Sequence, residues 1–434
     1  MTSVADWLCF QLTGQDLLVV KHQLAAITSN LTSWLLVRLR VRRPQLALAP
    51  AGETSAVQIL SPGGFERFAR ASLVGGLATV GYNVREGVER LPGSASIVRT
   101  DWGIPPACAV VRVSHFSVNY ADVTIRWGLY ESAIRYVGYP IVPGFDFAGV
   151  VEQAGAESGV SPGERVFGIT FFGAYSDRLL VPGQQLRPVP PPLSAAEAAA
   201  FPSVAGTALH SMALAGFWPS PPLTRNRACL IHSAAGGVGS MLVQLAKILG
   251  CSPIVAVVGS GHKVAVCRAL GADVVIDKSS QPLWDTARAA APDGFAAIFD
   301  ANGVATLAQS YAHLARTGKL VVYGFTTNLP SGAMLNPLAW ARMARDVVRL
   351  PRFDPMDLVL ASKSVHGFNL SFFADETELV DVYMDQLVRW VGEGRLTVAK
   401  VTEFDASAVP RAHQLIQSGK SVGKIVCRTK EQQG

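Results

Sequence analysis

Ala228-Cys229-Leu230-Ile231-His232-Ser233-Ala234-Ala235-Gly236-Gly237-Val238-Gly239, running on into Ser240-Met241-Leu242-Val243-Gln244-Leu245-Ala246-Lys247, decides the fold of this chain. It reads as a short apolar strand, a glycine turn and a helix. Val238, Met241, Leu242, Leu245, Ala246 and Leu249 recur at helical spacing, and Gly250 stands where a left-handed cap is cheap. A strand that enters a glycine-rich helix N-terminus builds a phosphate site. Backbone N–H groups point outward there, the helix dipole favours an anion, and missing Cβ atoms let a pyrophosphate approach. The stretch therefore predicts a dinucleotide contact at Ala235, Gly236, Gly237, Val238 and Gly239.

The dinucleotide fingerprint expects an acid about 20 residues past the glycines for the ribose 2′-hydroxyl. The next strand, Ile254-Val255-Ala256-Val257-Val258, runs into Gly259-Ser260-Gly261-His262-Lys263, and no Asp or Glu occurs between Gly239 and Asp273. Ser260 offers a hydrogen-bond donor and Lys263 a positive charge. Both suit a 2′-phosphate, so the expected cofactor is NADPH rather than NADH. The plainer reading of Lys263 is a solvated lysine in a first helical turn.

At 434 residues the chain is long enough for two domains. Charged residues make up 16% and the net charge is +6. No basic stretch interleaves aromatics as a nucleic-acid surface would, so no nucleic-acid partner is expected. Six cysteines are scattered without metal-ligand or C-x-x-C spacing. That fits a reducing compartment and a cytoplasmic protein; mitochondrial or membrane-associated placement is the alternative. Residues 1–55 read as an N-terminal extension, apolar and nearly acid-free from Leu17 to Leu39. It is a candidate for peripheral membrane contact, as an amphipathic surface helix or an extension without fixed structure.

Short strands with Pro/Gly turns follow: Ala56–Leu60, Val110–Val113, Phe145–Val151 and Gly163–Val166. Residues 74–103 read as a glycine-rich insertion or long loop. From about 204 the texture changes to strands alternating with helices, with strands expected at 228–232, 254–258, 273–277, 295–300 and 319–323. That rhythm predicts a doubly wound parallel sheet. The fold class is thus α/β. A Rossmann domain (204–367) is inserted in a β-rich domain built from 56–203 and 368–434.

Several ordered stretches resemble the medium-chain dehydrogenase/reductase superfamily. They are Asn119-Tyr120-Ala121-Asp122 with Gly128-Leu129-Tyr130, Pro143-Gly144 to Val151, Gly163-Glu164-Arg165-Val166, the glycine turn with Gln244-Leu245-Ala246-Lys247, Gly271-Ala272-Asp273, and Val422-Gly423-Lys424. Within it the chain is most similar to the zinc-independent quinone oxidoreductase branch and its vesicle amine transport protein type. The resemblance covers roughly 56–428 and implies a GroES-like fold for the β-rich domain. Zinc enzymes of the superfamily place ligands where this chain has Asn119, Phe145 and, near the third, Ser203. No metal is therefore expected. The resemblance implies hydride transfer to a quinone or an α,β-unsaturated carbonyl.

It also implies site residues. Asn119 and Tyr130 lie near nicotinamide and substrate, as hydrogen-bond donors to a developing oxyanion, or else as a helix cap and a packed wall. Thr207 matches a threonine near the carboxamide, although Leu209 replaces the usual tyrosine. Lys278 follows the third strand, as a 2′-phosphate contact or a solvated lysine. Asn302 follows the fourth strand, and Gly324 and Phe325 the fifth. Phe368 and Leu370 resemble a segment that closes over the nicotinamide. Lys424 resembles a lysine of the phosphate end. Relatives of this branch often form homodimers edge to edge, for which the run 319–323 is the candidate. Two alternatives stand: an enoyl-thioester reductase, and a membrane- or vesicle-associated NADPH-binding protein with little turnover.

Overall fold

The computed structural model describes residues 17–38, 54–220, 226–326, 337–373 and 375–429. The glycine turn leaves the middle of a six-stranded parallel sheet. Across the sheet the strands run Val274–Asp277, Ile254–Val258, Cys229–Ile231, Phe295–Asp300, Leu314–Val322 and Ser364–Gly367. In chain order these are the third, second, first, fourth, fifth and sixth. This is a doubly wound order, and its crevice opens at the carboxyl ends where the order reverses. Cys229, Leu230 and Ile231 are fully buried, as a central strand covered on both faces requires. The helix Gly237–Ile248 packs Met241, Leu242, Leu245 and Ala246 in one cluster with Cys229 and Ile231, and Leu230 joins the cluster on the other face.

The second sheet is built around the strand Cys108–Val118. Asp146–Ala154 lies on one side, and Arg178–Pro182 and the last strand, Lys424–Arg428, lie on the other, all antiparallel. Both ends of the chain therefore enter the β-rich unit. Ile425 pairs with Val118, which sets Lys424 beside Asn119. A bridge between Gly236 and Gly423 ties the same segment to the glycine turn. The helix Thr377–Gly392 buries Tyr383, Met384, Leu387 and Trp390 in the cluster that also holds Met241 and Leu242.

Three expectations need correction. Residues 74–103 are not an inserted loop. Leu77–Val80 and Ile97–Arg99 form an antiparallel pair, and Leu77–Val80 also pairs with Arg178–Pro182. Ala78, Val80 and Val98 bury against Val110 and Leu180. These strands are too short for an alternation to show through the glycines around them. Nor does the run 319–323 offer an edge for dimerisation, because Leu314–Val322 is flanked by Phe295–Asp300 and Ser364–Gly367. Within the extension, Leu17–Arg38 is a single helix with no segregated apolar face.

That helix docks through small and polar groups. Ala26, Asn30 and Ser33 are buried. Ser29 donates to the Pro62 carbonyl at 2.6 Å, and Asn30 Nδ2 donates to the Trp127 carbonyl at 2.9 Å. Gly128 caps the helix Tyr120–Trp127 at φ +74°, and a Cβ there would stand 2.7 Å from Ala26 Cβ. Glycine thus serves the left-handed cap and the close approach together. Asn30→Ala is expected to lower the unfolding free energy by about 1–3 kcal/mol, because a buried carbonyl loses its side-chain donor. A denaturant melt unchanged within ~0.5 kcal/mol would contradict this docking. No described helix is long and apolar enough to cross a membrane.

Candidate functional site

A cleft of about 1240 Å³ lies between the carboxyl edge of the parallel sheet and the β-rich domain. Its walls include Asn119, Tyr130, Thr207, Ala235, Gly236, Gly237, Val238, Gly239, Lys263, Lys278, Asn302, Gly324, Phe325, Phe368, Leu370 and Lys424. The structure thus gathers residues from positions 119 to 424 on one surface. Ser260 is not part of that wall; its hydroxyl lies 3.1 Å from His262 Nδ1.

The glycine turn fits a dinucleotide diphosphate. Gly236 is the N-cap of the helix Gly237–Ile248, and no side chain caps it. The first intrahelical bond is Ser240 N–H to the Gly236 carbonyl, which leaves the N–H groups of Gly237, Val238 and Gly239 as the orphan donors of the first turn. Such a helix N-terminus on a cleft wall favours an anion. Behind it, Asp300 accepts from Asn302 N–H at 2.8 Å, Thr306 Oγ1 at 2.7 Å and Ser310 Oγ at 2.9 Å. Asn302 Oδ1 in turn accepts from Ser233 Oγ at 2.9 Å. Ser233 holds φ +53° on the cleft wall, a left-handed conformation that is uncommon outside glycine.

At the far end of this segment the basic residues differ. Lys263 Nζ donates to the Gly419 carbonyl at 2.6 Å, and burial lowers its pKa. Lys278 lines the cleft with no ammonium partner among the described residues. Of the two lysines, Lys278 is the one left for an incoming anion.

At the opposite end a buried ion pair sits under the cleft. Lys424 Nζ donates to Asn119 Oδ1 at 2.6 Å, to Ser117 Oγ at 2.8 Å and to Asp146 Oδ2 at 3.2 Å. Asp146 also accepts from Ser117 Oγ at 2.5 Å, Asn119 Nδ2 at 2.9 Å and Ser203 N–H at 2.6 Å. Burial pushes Asp146 upward, but the Lys424 ammonium and these donors outweigh it and hold the carboxyl below the usual range. Burial lowers Lys424, and Asp146 works against that shift. The resemblance placed Lys424 at the phosphate end. Its backbone does lie there, with Gly423 N–H on the Ala235 carbonyl at 2.8 Å, but its ammonium is committed to Asp146.

This pair changes how Asn119 reads. Its amide donates to Asp146 and also to Ser117 Oγ at 3.3 Å, and its oxygen accepts from Lys424. Its N–H is held by the Asp122 carboxylate at 2.8 Å. Asp146 Oδ2 and Ser117 Oγ lie on the same side of the amide, so Asn119 is anchored in the network through one shared N–H and its oxygen. Asn119, Phe145 and Ser203 supply neither thiolate nor imidazole, so the donor set does not fit a tetrahedral zinc. Sequence reasoning passed over Asp146 and Ser117. Only the spacing Gly144-Phe145-Asp146 at a strand start could have flagged the carboxylate.

Tyr130 stands across the cleft against the rings of Phe145 and Phe172. Its hydroxyl donates to Asn369 Oδ1 at 3.0 Å, and burial raises its pKa. Phe368 and Leu370 flank that asparagine, which sequence reasoning also missed. Ile169, Phe171 and Leu370 complete an apolar end of the cleft.

A doubly wound nucleotide sheet, a glycine-turn diphosphate cradle and a β-rich domain over its carboxyl edge define a two-domain dinucleotide-dependent oxidoreductase fold. Family models agree with that class. "Alcohol dehydrogenase GroES-like domain" matches residues 105–191 and "Zinc-binding dehydrogenase" matches 237–384. The 2-methylene-furan-3-one reductase of Solanum lycopersicum is 30% identical over 280 residues, 60% of this chain and 67% of that protein. The synaptic vesicle membrane protein VAT-1 homolog of Danio rerio is 28% identical over 321 residues, 74% of this chain and 64% of that protein, so the chain spans under two thirds of it. The Escherichia coli quinone oxidoreductase complexed with NADPH superposes with a TM-score of 0.67 at 20% identity, over 86% of this chain and 99% of that one, and shares the fold. The chain belongs to the medium-chain dehydrogenase/reductase superfamily, with quinone oxidoreductases and VAT-1 homologues among its relatives.

Proposed function

We propose that this protein is an NADPH-dependent, zinc-independent reductase of quinones or α,β-unsaturated carbonyls. The observation that carries it is the make-up of the cleft. An uncapped glycine-turn helix faces its middle, Lys278, without an ammonium partner among the described residues, faces one end, and an apolar aromatic end faces the other. Bound there, the reduced nicotinamide supplies a hydride. The orphan N–H groups of Gly237, Val238 and Gly239 hold the diphosphate. Lys278 holds the 2′-phosphate, and Thr207 faces the carboxamide. Tyr130, Phe145 and Phe171 exclude water and stack a flat, neutral substrate.

The enoyl-thioester alternative calls for cations at the substrate mouth. The lysines of the described cleft wall are Lys263, Lys278 and Lys424. The first two belong to the 2′-phosphate end and the third is buried on Asp146. That distribution favours a neutral substrate. The names of the VAT-1 relatives keep a vesicle-associated role in view. The helix Leu17–Arg38 is committed to the protein body by Ser29 and Asn30, so membrane contact by this helix would use its outer face. An edge-to-edge homodimer would use one of the two outer strands of the described sheet, Val274–Asp277 or Ser364–Gly367.

Isothermal titration tests the cofactor. NADPH is expected to bind at least tenfold more tightly than NADH, about 1.4 kcal/mol. Lys278→Gln is expected to weaken NADPH about tenfold and leave NADH within about twofold. Equal weakening of both would remove Lys278 from the 2′-phosphate.

A further inference from the structure

We infer that Asn369 supplies the hydrogen bond to the oxyanion that develops on the substrate, with Tyr130 positioning it. This rests on the reductase reading above. Such a reaction needs a donor beside the substrate oxygen, and the two residues first assigned to that task are engaged elsewhere. Asn119 is tied into the buried network, its amide nitrogen on Asp146 and Ser117 and its oxygen on Lys424. Tyr130 gives its hydroxyl hydrogen to Asn369.

Asn369 is built as an oriented donor. Its Oδ1 accepts three hydrogen bonds: Tyr130 OH at 3.0 Å, Ser371 N–H at 3.0 Å and Ser371 Oγ at 2.9 Å. A backbone N–H only donates, so the amide atom that meets it must be the oxygen, and the amide has one allowed orientation. Nδ2 is left on the cleft wall with no partner among the described residues, and it is not an enclosed atom. The scaffold around it is fixed from the β-rich domain. Ser132 Oγ meets Ser371 Oγ at 2.8 Å, and Tyr82 OH donates to the Ser371 carbonyl at 2.8 Å. Tyr82 stacks on Tyr136 with ring centroids 4.7 Å apart. Asn369 also lies two residues past the carboxyl end of the strand Ser364–Gly367, on the sheet edge where a doubly wound fold presents its ligand.

The step balances as follows. The hydride from NADPH forms a C–H bond at the β-carbon of an enone. The C=C pair moves to the α-carbon and the carbonyl oxygen becomes an enolate oxyanion, which accepts the Asn369 Nδ2–H. Water then protonates the α-carbon. NADPH is oxidised and the enone is reduced. A quinone follows the same course to the hydroquinone anion, which water protonates.

Asn369→Asp is the decisive variant, because a carboxylate keeps the acceptor for Tyr130 and Ser371 and removes the donor. With 1,4-naphthoquinone its kcat is expected to fall about 100-fold, with the Kd for NADPH within about twofold of wild type. Asn369→Ala covers the case in which the aspartate does not fold. Tyr130→Phe is expected to lower kcat by less than either, without moving that Kd. The second readout is binding of 4-nitrophenolate to the NADP⁺ complex, followed by its absorbance. It is expected to weaken about tenfold in Asn369→Asp. A kcat within about threefold of wild type, equal phenolate binding, or a loss confined to the Kd for NADPH would each overturn the assignment. A wild-type protein that neither binds NADPH nor reduces any quinone or enone would instead overturn the reductase reading itself.

Discussion

Gly239→Ala is expected to abolish dinucleotide binding. A Cβ at this position would stand 2.4 Å from the Ser233 carbonyl oxygen and 2.6 Å from Ala234 Cα. Those neighbours are backbone, so no side chain can turn aside. The helix Gly237–Ile248 must back away from the strand it follows, and its first-turn N–H groups move off the diphosphate. The Kd for NADPH is expected to rise at least ~100-fold, about 2.7 kcal/mol. Gly392→Ala is the control, since a Cβ there meets nothing within 4 Å. Fluorescence titration of both variants, with a thermal melt of each, checks the claim. Near-normal NADPH affinity in Gly239→Ala would show that the diphosphate is not held at this turn.

Lys424→Met should be the most destabilising change at the cleft floor. It leaves Asp146 fully buried without its cation, which costs about 3–5 kcal/mol. The sign of the pH dependence follows from the direction of each shift. In the wild type Asp146 sits below its unfolded value. It contributes stability above the ordinary carboxylate range and loses it as pH falls through the folded pKa. In the variant the burial cost is no longer opposed by Lys424, and the carboxyl moves above its unfolded value. Its folded form then gains from protonation, and that gain is lost as pH rises. The gap between wild type and variant is therefore widest at neutral pH and narrows in mild acid. Denaturant melts from pH 7 to pH 5 measure it. A gap that widens on acidification would mean that the pair is not charged in the folded protein.

Much of the architecture was legible because it rests on local chemistry. The strand, glycine turn and helix from Ala228 to Lys247 carry their own period and cap, and Gly128 and Gly250 end helices at positive φ. The residues assigned to the cofactor, Ser260 excepted, meet on one cleft because a doubly wound sheet brings its carboxyl ends together. The parts that were misread depend on distant partners. Leu77–Val80 is a strand because Leu179 and Leu180 lie alongside it, which no local pattern reveals. Asp146 and Lys424 are 278 positions apart and meet only through the pairing of Ile425 with Val118. Asn119 looked like a donor because its type permits it. Its neighbours tie it into the buried Asp146–Lys424 network, and the same kind of neighbour logic singles out Asn369.

The most direct test of the reductase reading follows the hydride itself. The protein is incubated without oxygen with NADPH deuterated at C4 on either face and with a simple cyclic enone, and the product is read by mass spectrometry and NMR. The account predicts deuterium from one of the two faces at the β-carbon, with a solvent proton at the α-carbon. Product without that deuterium, or tight NADPH binding with no oxidation by any enone or quinone, would contradict it.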